Sequence, residues 1–542
     1  MNKKFGILAI VIVLAGAIAG GLFGKLPAPA AADNSLTAER IVADYREALE
    51  VVEQNYVGRP DHEKIAESSI QSMLWTLDPH SAFFTREEFR KLYEEQSSRF
   101  YGIGVSILQH RDGVYVQSVI PNTPADRAGV RYGDKFLAVD GKDAKDWSSA
   151  EVSRNVRGER GTSVKIKFER AGESQPIEMT IVRGGVPLPS IRNTFMLPDG
   201  VGYVGLSGGF QETTAEELDQ AVSELREKGM KSLVLDLRGN PGGLLPQAIE
   251  VVSRFVERGR TVVSVKGRSQ YSESRELKTV GGKYDDFPVI VLINGGSASA
   301  SEIVAGALQD YGRGLIVGSD SFGKGLVQRV FPLPYGTGLT LTTARYYTPY
   351  GRSLQRDYSS GSIYDYYTHN GDGDEATEEK PKPKGVPVKT AFDRILYGGR
   401  GIEPDVKVPA LSYTPVRGRI MEAAFFFTRQ LVAGKINGFE SYKTTKQNYR
   451  PTVQNGEFQI NDRLFEAFID YAVKNKENGL SAENINSEKE FAKARLRAEL
   501  ATAHNSSEAG QQVLLENDPQ VLKAIELVPE ARKFLERNLA NK

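Results

Sequence analysis

Apolar positions change their spacing along the chain, and each spacing predicts a different kind of element. Between Leu36 and Gln96 they recur at three- and four-residue steps (Ile41, Tyr45, Leu49, Val52, Tyr56), which predicts helices. From about Phe100 to Val186 they form short runs divided by turns, among them Gly104–Ile107, Val114–Val116, Lys135–Val139, Val164–Phe168 and Ile177–Val182. That is the pattern of a small β domain. Pro121–Val130 adds a short helix after a proline turn, and Asp140-Gly141 marks a tight hairpin. Strands and helices then alternate. Gly202–Leu206 is a strand, and Thr214-Ala215-Glu216-Glu217 reads as a capping box opening a helix that carries Leu218, Val222 and Leu225. Phe287–Ile293 (FPVIVLI) is apolar almost without a break, as a strand covered on both sides requires, and Ser232–Leu237 (SLVLDL) reads as a second buried strand. Helices follow each of them, from about Leu245 to Phe255 and up to Gln309; Leu339–Tyr347 is a further strand. Alternation of this kind predicts an α/β layer with mostly parallel strands. Beyond about Ile420 the spacing is helical again, over Met421–Val432, Leu464–Val473, Phe491–Leu500 and Val521–Leu535.

Candidate chemistry gathers at the ends of the two buried strands, where ligands bind in α/β sheets. After Ile293, Asn294-Gly295-Gly296 permits a sharp turn, and three small hydroxyl residues follow, Ser297, Ser299 and Ser301. A serine there is presented at a helix N-terminus, where free N–H groups and the dipole favour negative charge. It needs a base. The five histidines (His62, His80, His110, His369, His504) all lie outside this stretch, which does hold Lys324 between Gly323 and Gly325 in apolar surroundings. Desolvation lowers a lysine pKa and makes the neutral amine a usable base. After Leu237, Arg238-Gly239-Asn240-Pro241-Gly242-Gly243 is a second glycine turn, suited to present backbone N–H donors to a developing oxyanion, each worth about 3 kcal/mol.

These segments resemble a known family. The Ser297–Glu302 run, Gln309-Asp310-Tyr311-Gly312-Arg313 and Phe322-Gly323-Lys324-Gly325-Leu326-Val327-Gln328 are similar to the carboxyl-terminal processing proteases, tail-specific serine peptidases with a Ser–Lys dyad. Leu77–Ser81, Thr348–Arg352 and Gly401–Val406 extend the likeness over roughly 40–409. It implies Ser299 as nucleophile, Lys324 as base and Gln328 as the base's support. It implies oxyanion donors from Ala300 and from Gly242 or Gly243, between which the sequence does not choose. Tyr101-Gly102-Ile103-Gly104-Val105 resembles the carboxylate-binding loop of a PDZ domain, to which a peptide C-terminus adds as a strand. The expected fold is an α/β multidomain one: a ClpP/crotonase-like layered peptidase core at 187–412, an inserted PDZ-like β domain at 99–186, and helical regions at 36–98 and 413–542. The expected function is a serine endopeptidase acting on proteins and peptides with free C-termini. The rival is a non-catalytic, membrane-tethered PDZ scaffold on a degenerate core. His80 reads as a structural turn histidine, and Asp310 as a structural acid partnered locally by Arg313.

Composition adds limits. The 69 basic and 69 acidic residues cancel, so no nucleic-acid partner is indicated. Without cysteine there is no disulfide or thiolate chemistry. No cofactor or metal is implied: Gly371-Asp372-Gly373-Asp374, inside a polar insertion at 357–387 expected to be mobile, lacks the ligand spacing of a calcium loop. Lys3-Lys4 precede an uncharged apolar run from Phe5 to Phe23, read as a membrane anchor within 1–30, with a cleaved secretory signal as the alternative. Either places the rest outside the cytoplasm, in a periplasm or cell envelope, anchored or secreted. The C-terminal helices suggest an accessory module for dimerisation or substrate tethering, and a homo-oligomer is an open expectation.

Overall fold

The computed structural model describes residues 37–540 except 90–91, 93–98, 269–272, 282–284, 359–365 and 367–384. The anchor read at 5–23 and nearly all of the 357–387 insertion lie outside the described residues. Among those described, no helix is long and apolar enough to cross a membrane. The chain divides after Ser69 into two compact units. The first holds α1 (Ala38–Asn55), in which no residue is buried, and the start of α2 (His62–Trp75).

The second unit begins with a departure from the helical expectation. Ala82–Phe84 is a strand, β1, because it pairs antiparallel with a core strand at Gly338–Thr340, a tertiary contact that local periodicity does not encode. The small β domain follows: β2 (Arg99–Gly102), β3 (Val105–His110), β4 (Gly113–Val119), α3 (Pro124–Ala128), β5 (Lys135–Val139), β6 (Lys142–Asp143), α4 (Ser149–Val156), β7 (Ser163–Glu169), β8 (Ile177–Val182) and β9 (Gly184–Pro187). Its sheet runs β3-β4-β5-β7-β8, so β3 has an open edge, and β2 pairs with β9. The expected hairpin at Asp140-Gly141 has positive φ at both residues, 48° and 78°.

The α/β core consists of β10 (Ile191–Leu197), β11 (Val201–Leu206), α5 (Thr214–Glu227), β12 (Ser232–Asp236), α6 (Leu245–Ser253), β13 (Thr261–Gly267), β14 (Arg275–Lys278), β15 (Val289–Ile293), α7 (Ala300–Asp310), β16 (Leu315–Gly318), β17 (Leu326–Pro332), β18 (Gly338–Tyr347), the β19–β20 hairpin (Pro387–Lys389, Ile395–Tyr397) and β21 (Val406–Lys407). Its main sheet runs β10-β11-β12-β15-β16-β21, with every neighbour parallel except β10 and β11. The second sheet, antiparallel, holds β1, β18, β13 and β14, with β17 on β18. The α5 capping box does not form: the Glu217 carboxylate instead accepts the Thr213 hydroxyl at 2.6 Å and the Ile191 N–H at 2.9 Å.

The C-terminal helices are α8 (Pro415–Val432), α9 (Asp462–Lys474), α10 (Ala482–Ser487), α11 (Lys489–His504), α12 (Ser507–Leu515), α13 (Pro519–Glu526) and α14 (Val528–Ala540). The single helix expected over Val521–Leu535 breaks at Leu527, because Pro529 lacks an N–H to continue the ladder. One face of the main sheet is covered by α5, α6 and α7. Its other face, with Tyr203, Val234, Ile290, Leu292 and Val317, is covered by Leu515, Val521, Ala524, Leu527 and Ala531 of α12–α14. The helices before them grip the β domain. His110 stacks on Phe425 at 4.2 Å, the Tyr132 hydroxyl donates to Glu499 at 2.7 Å, and Arg429 donates to the Gly133 carbonyl at 2.7 Å.

Candidate active site

The two turns meet because their strands are neighbours. β12 and β15 run parallel and side by side, so the segments leaving their C-terminal ends emerge together. The Asn240 carbonyl accepts the Ala298 N–H at 3.0 Å and the Ser301 hydroxyl at 2.9 Å. The Ser297 hydroxyl donates to the Leu237 carbonyl at 2.8 Å. Two of the three serines therefore brace the turn. Ser299 differs: it carries φ 55°, ψ −110°, a conformation that costs a non-glycine residue about 1–3 kcal/mol and collects at functional sites. A Cβ on Gly242 would lie 2.7 Å from the Ser299 Cβ, so only glycine fits there.

The lysine loop reaches the same place through a residue that sequence reasoning missed. Glu302 is fully buried on the first turn of α7. One carboxylate oxygen accepts the N–H groups of Ser299 and Lys324, both at 2.8 Å. The other accepts the Gly323 N–H at 2.7 Å and the Ser321 hydroxyl at 2.5 Å. One side chain thus ties the Ser299 turn to the Lys324 loop. The signal was the three-residue step from Ser299 to Glu302, the spacing of a capping box. Burial pushes the Glu302 pKa up, and these four hydrogen bonds pull it down, with the first prevailing. Glu302→Gln replaces an acceptor with a donor facing N–H groups. It is expected to cost about 2–3 kcal/mol in denaturant unfolding and to lower activity with it.

Among the described residues, the Lys324 amine has no hydrogen-bond or ion-pair partner. Burial lowers its pKa from the ordinary value, against the opposing charges of Glu302 and Asp78. Gln328, on β17, donates to the Thr342 hydroxyl at 3.2 Å, which fixes its amide from the N–H side. His80, set aside as a turn residue, lies within electrostatic reach of Lys324. Burial first, then the Lys324 charge, bring its pKa down to about 4, so it is neutral at pH 7. Its backbone N–H donates to Asp78 at 2.8 Å and its ring Nε2 meets the Tyr366 hydroxyl at 2.8 Å. Asp310 is buried at the end of α7, but Arg313 is not its partner. Arg352 holds it at 2.6 Å, while Arg313 donates to the carbonyls of Phe255, Asp285 and Phe287.

The N–H groups of Ala300 and Gly243 have no acceptor among the described residues, whereas that of Gly242 donates to the Asn240 Oδ1 at 2.9 Å. The Tyr101–Val105 loop is built separately, from β2, β3 and α3. The Ile103 and Gly104 carbonyls accept from Ala125 and Ile120, and their own N–H groups have no acceptor among the described residues.

Comparison with known proteins gives the same two parts. The model of peptidase family S41 matches residues 200–367, and that of the PDZ domain matches residues 102–181. The carboxy-terminal-processing protease of Bartonella bacilliformis is 39% identical over 327 residues, 60% of this chain and 74% of that protein. The carboxy-terminal processing protease CtpB of Bacillus subtilis is 33% identical over 336 residues, 61% of this chain and 68% of that protein. Among solved structures, the photosystem II D1 C-terminal processing protease is 27% identical, with 69% of this chain and 94% of that one covered at a TM-score of 0.35.

Proposed function

Since this chain belongs to the carboxy-terminal processing proteases of peptidase family S41 and is a serine protease with a PDZ domain, we propose that Ser299 and Lys324 form its catalytic dyad. The observation that carries this reading is the Glu302 carboxylate, which holds the backbone of both residues at 2.8 Å. The neutral Lys324 amine accepts the Ser299 proton, and the Ser299 oxygen attacks the peptide carbonyl. Negative charge on the former carbonyl oxygen is met by the N–H groups of Ala300 and Gly243, the glycine whose donor is not already engaged. Lys324, now protonated, gives its proton to the leaving amine; the acyl-enzyme is then hydrolysed with Lys324 again as base. Gln328 keeps its amide oxygen for the lysine amine, since its NH₂ is directed to Thr342.

Substrate tails dock in the PDZ loop, where the carboxylate meets the N–H groups of Ile103 and Gly104 and the peptide extends along the open edge of β3. The apolar run at 5–23 supports a site of action outside the cytoplasm. The experiment is a comparison of one unstructured substrate with a free and with an amidated C-terminus. The amidated form is expected to be cut at the same kcat with KM raised on the order of tenfold, since charged hydrogen bonds of about 1.5 kcal/mol are lost. Equal KM for both would remove the tail-docking step.

A further inference from the structure

We propose that Asp518 and Gln520, on α13, are positioning residues for the oxyanion turn, acting through Arg238. The proposal rests on the dyad reading above, because it concerns the same turn. Arg238 lies two residues beyond the end of β12, at the start of the turn that carries Gly239–Gly243. Its guanidinium is shared between two parts of the fold. At the end of β12, Nε and Nη2 hold the Asp236 carboxylate at 3.0 and 2.6 Å, and that carboxylate also accepts the Tyr203 hydroxyl at 2.7 Å. On the far side, Nη1 donates to Asp518 Oδ2 at 2.8 Å and to Gln520 Oε1 at 2.7 Å.

Those two acceptors are themselves held. Asp518 is the N-cap of α13, its Oδ1 accepting the Gln520 and Val521 N–H groups. Gln520 is fully buried and donates to the Val408 carbonyl at 2.7 Å. The helix behind them is packed on the sheet by Val521 and Ala524. The next residues after Arg238 carry the catalytic geometry: the Gly239 N–H is fixed to Asn294, and the Asn240 carbonyl holds the Ser299 turn. A helix far along the chain, outside the family match at 200–367, therefore sets where the oxyanion turn begins. Mere attachment of helix to sheet does not explain a shared, partly buried arginine, because the desolvation of such a pair offsets much of its attraction. Placement of donors does, since a shift of about 1 Å near the reacting atoms costs up to about a hundredfold in rate.

The test uses the full chain carrying Asp518→Ser and Gln520→Met. Serine keeps the helix cap but is too short to reach Arg238, and methionine keeps the glutamine's volume. Casein degradation gives kcat and KM, and an alanine-ending peptide aldehyde reports the oxyanion donors. With that aldehyde the Ser299 oxygen bonds the carbonyl carbon, its proton passes to Lys324, and the C=O pair becomes the oxyanion. The expected result is a kcat reduced on the order of tenfold, KM unchanged, aldehyde affinity reduced by the same factor, and unchanged affinity for a free-carboxylate peptide at the PDZ loop. Asp518→Asn, which keeps an acceptor, retains activity within about twofold. Wild-type kcat, or a loss of kcat with full aldehyde affinity, overturns the proposal. If the double variant does not fold, Asp518→Ser alone carries the same readouts. Ser299→Ala runs beside it: an active Ser299→Ala protein removes the dyad reading, whereas an inert one beside an unaffected double variant removes only the role of α13.

Discussion

Ser299→Ala is expected to lower kcat on casein by about 10⁴-fold or more while leaving the fold and tail binding intact. Alanine removes only the hydroxyl, and the positive φ at this position is imposed by neighbours that remain. The Asn240 carbonyl still holds Ala298 and Ser301, and Glu302 still accepts the N–H of residue 299. What stays is the proposed pair of oxyanion donors and the binding surfaces, which would sustain only the residual activity seen when a nucleophile is deleted. Ser297 and Ser301 cannot substitute, because both hydroxyls donate to backbone carbonyls. Circular dichroism and PDZ-peptide titration check the fold; a variant that still degrades casein at the wild-type rate would place the nucleophile elsewhere.

Lys324→Met carries the second largest effect, a loss on the order of 10³-fold in kcat. Lys324→Arg is expected to be as inactive, since a guanidinium does not release its proton in a protein. Stability moves the other way. The folded pKa of Lys324 is depressed by burial, so the charged amine destabilises the fold most at pH values below the folded pKa. Between the folded and the ordinary value the unfolded chain binds the extra proton, and stability rises with pH. Above the ordinary value the penalty is gone. Lys324→Met is therefore expected to unfold at higher denaturant concentration than the wild type near neutral pH, with the gain shrinking as pH is raised towards 10.5. An inactive yet stabilised variant separates a catalytic lysine from a structural one.

The parts legible in the sequence were those written in local spacing. Buried strands such as 232–237 and 289–293, each followed by glycines, announced both turns, and the middle serine and Lys324 were singled out by their likeness to the family's motifs. The PDZ domain was legible for the same reason, its short strands and turns lying in the span the family model matches. What the sequence hid was non-local. Glu302 stood only as the end of the serine run, and only the packed loop shows that Lys324 shares its carboxylate. His80 reads as a turn residue because nothing in its own segment points to a lysine so far along the chain. The stripe on α13 declares an apolar face but not which surface it covers, so its place on the main sheet had no signal. Arg313 was the nearest base to Asp310 in sequence, but Arg352 reaches it in space.

Titration of the Lys324 amine decides whether it can act as the base. In the Ser299→Ala protein with ¹³Cε-labelled lysine, the Lys324 resonance is assigned by its absence from the Lys324→Met spectrum and followed against pH. The expected result is one lysine that loses its proton below 10.5, in the range where kcat/KM of the active enzyme rises. A Lys324 signal that titrates at 10.5 or above, with no lysine tracking the activity, contradicts it.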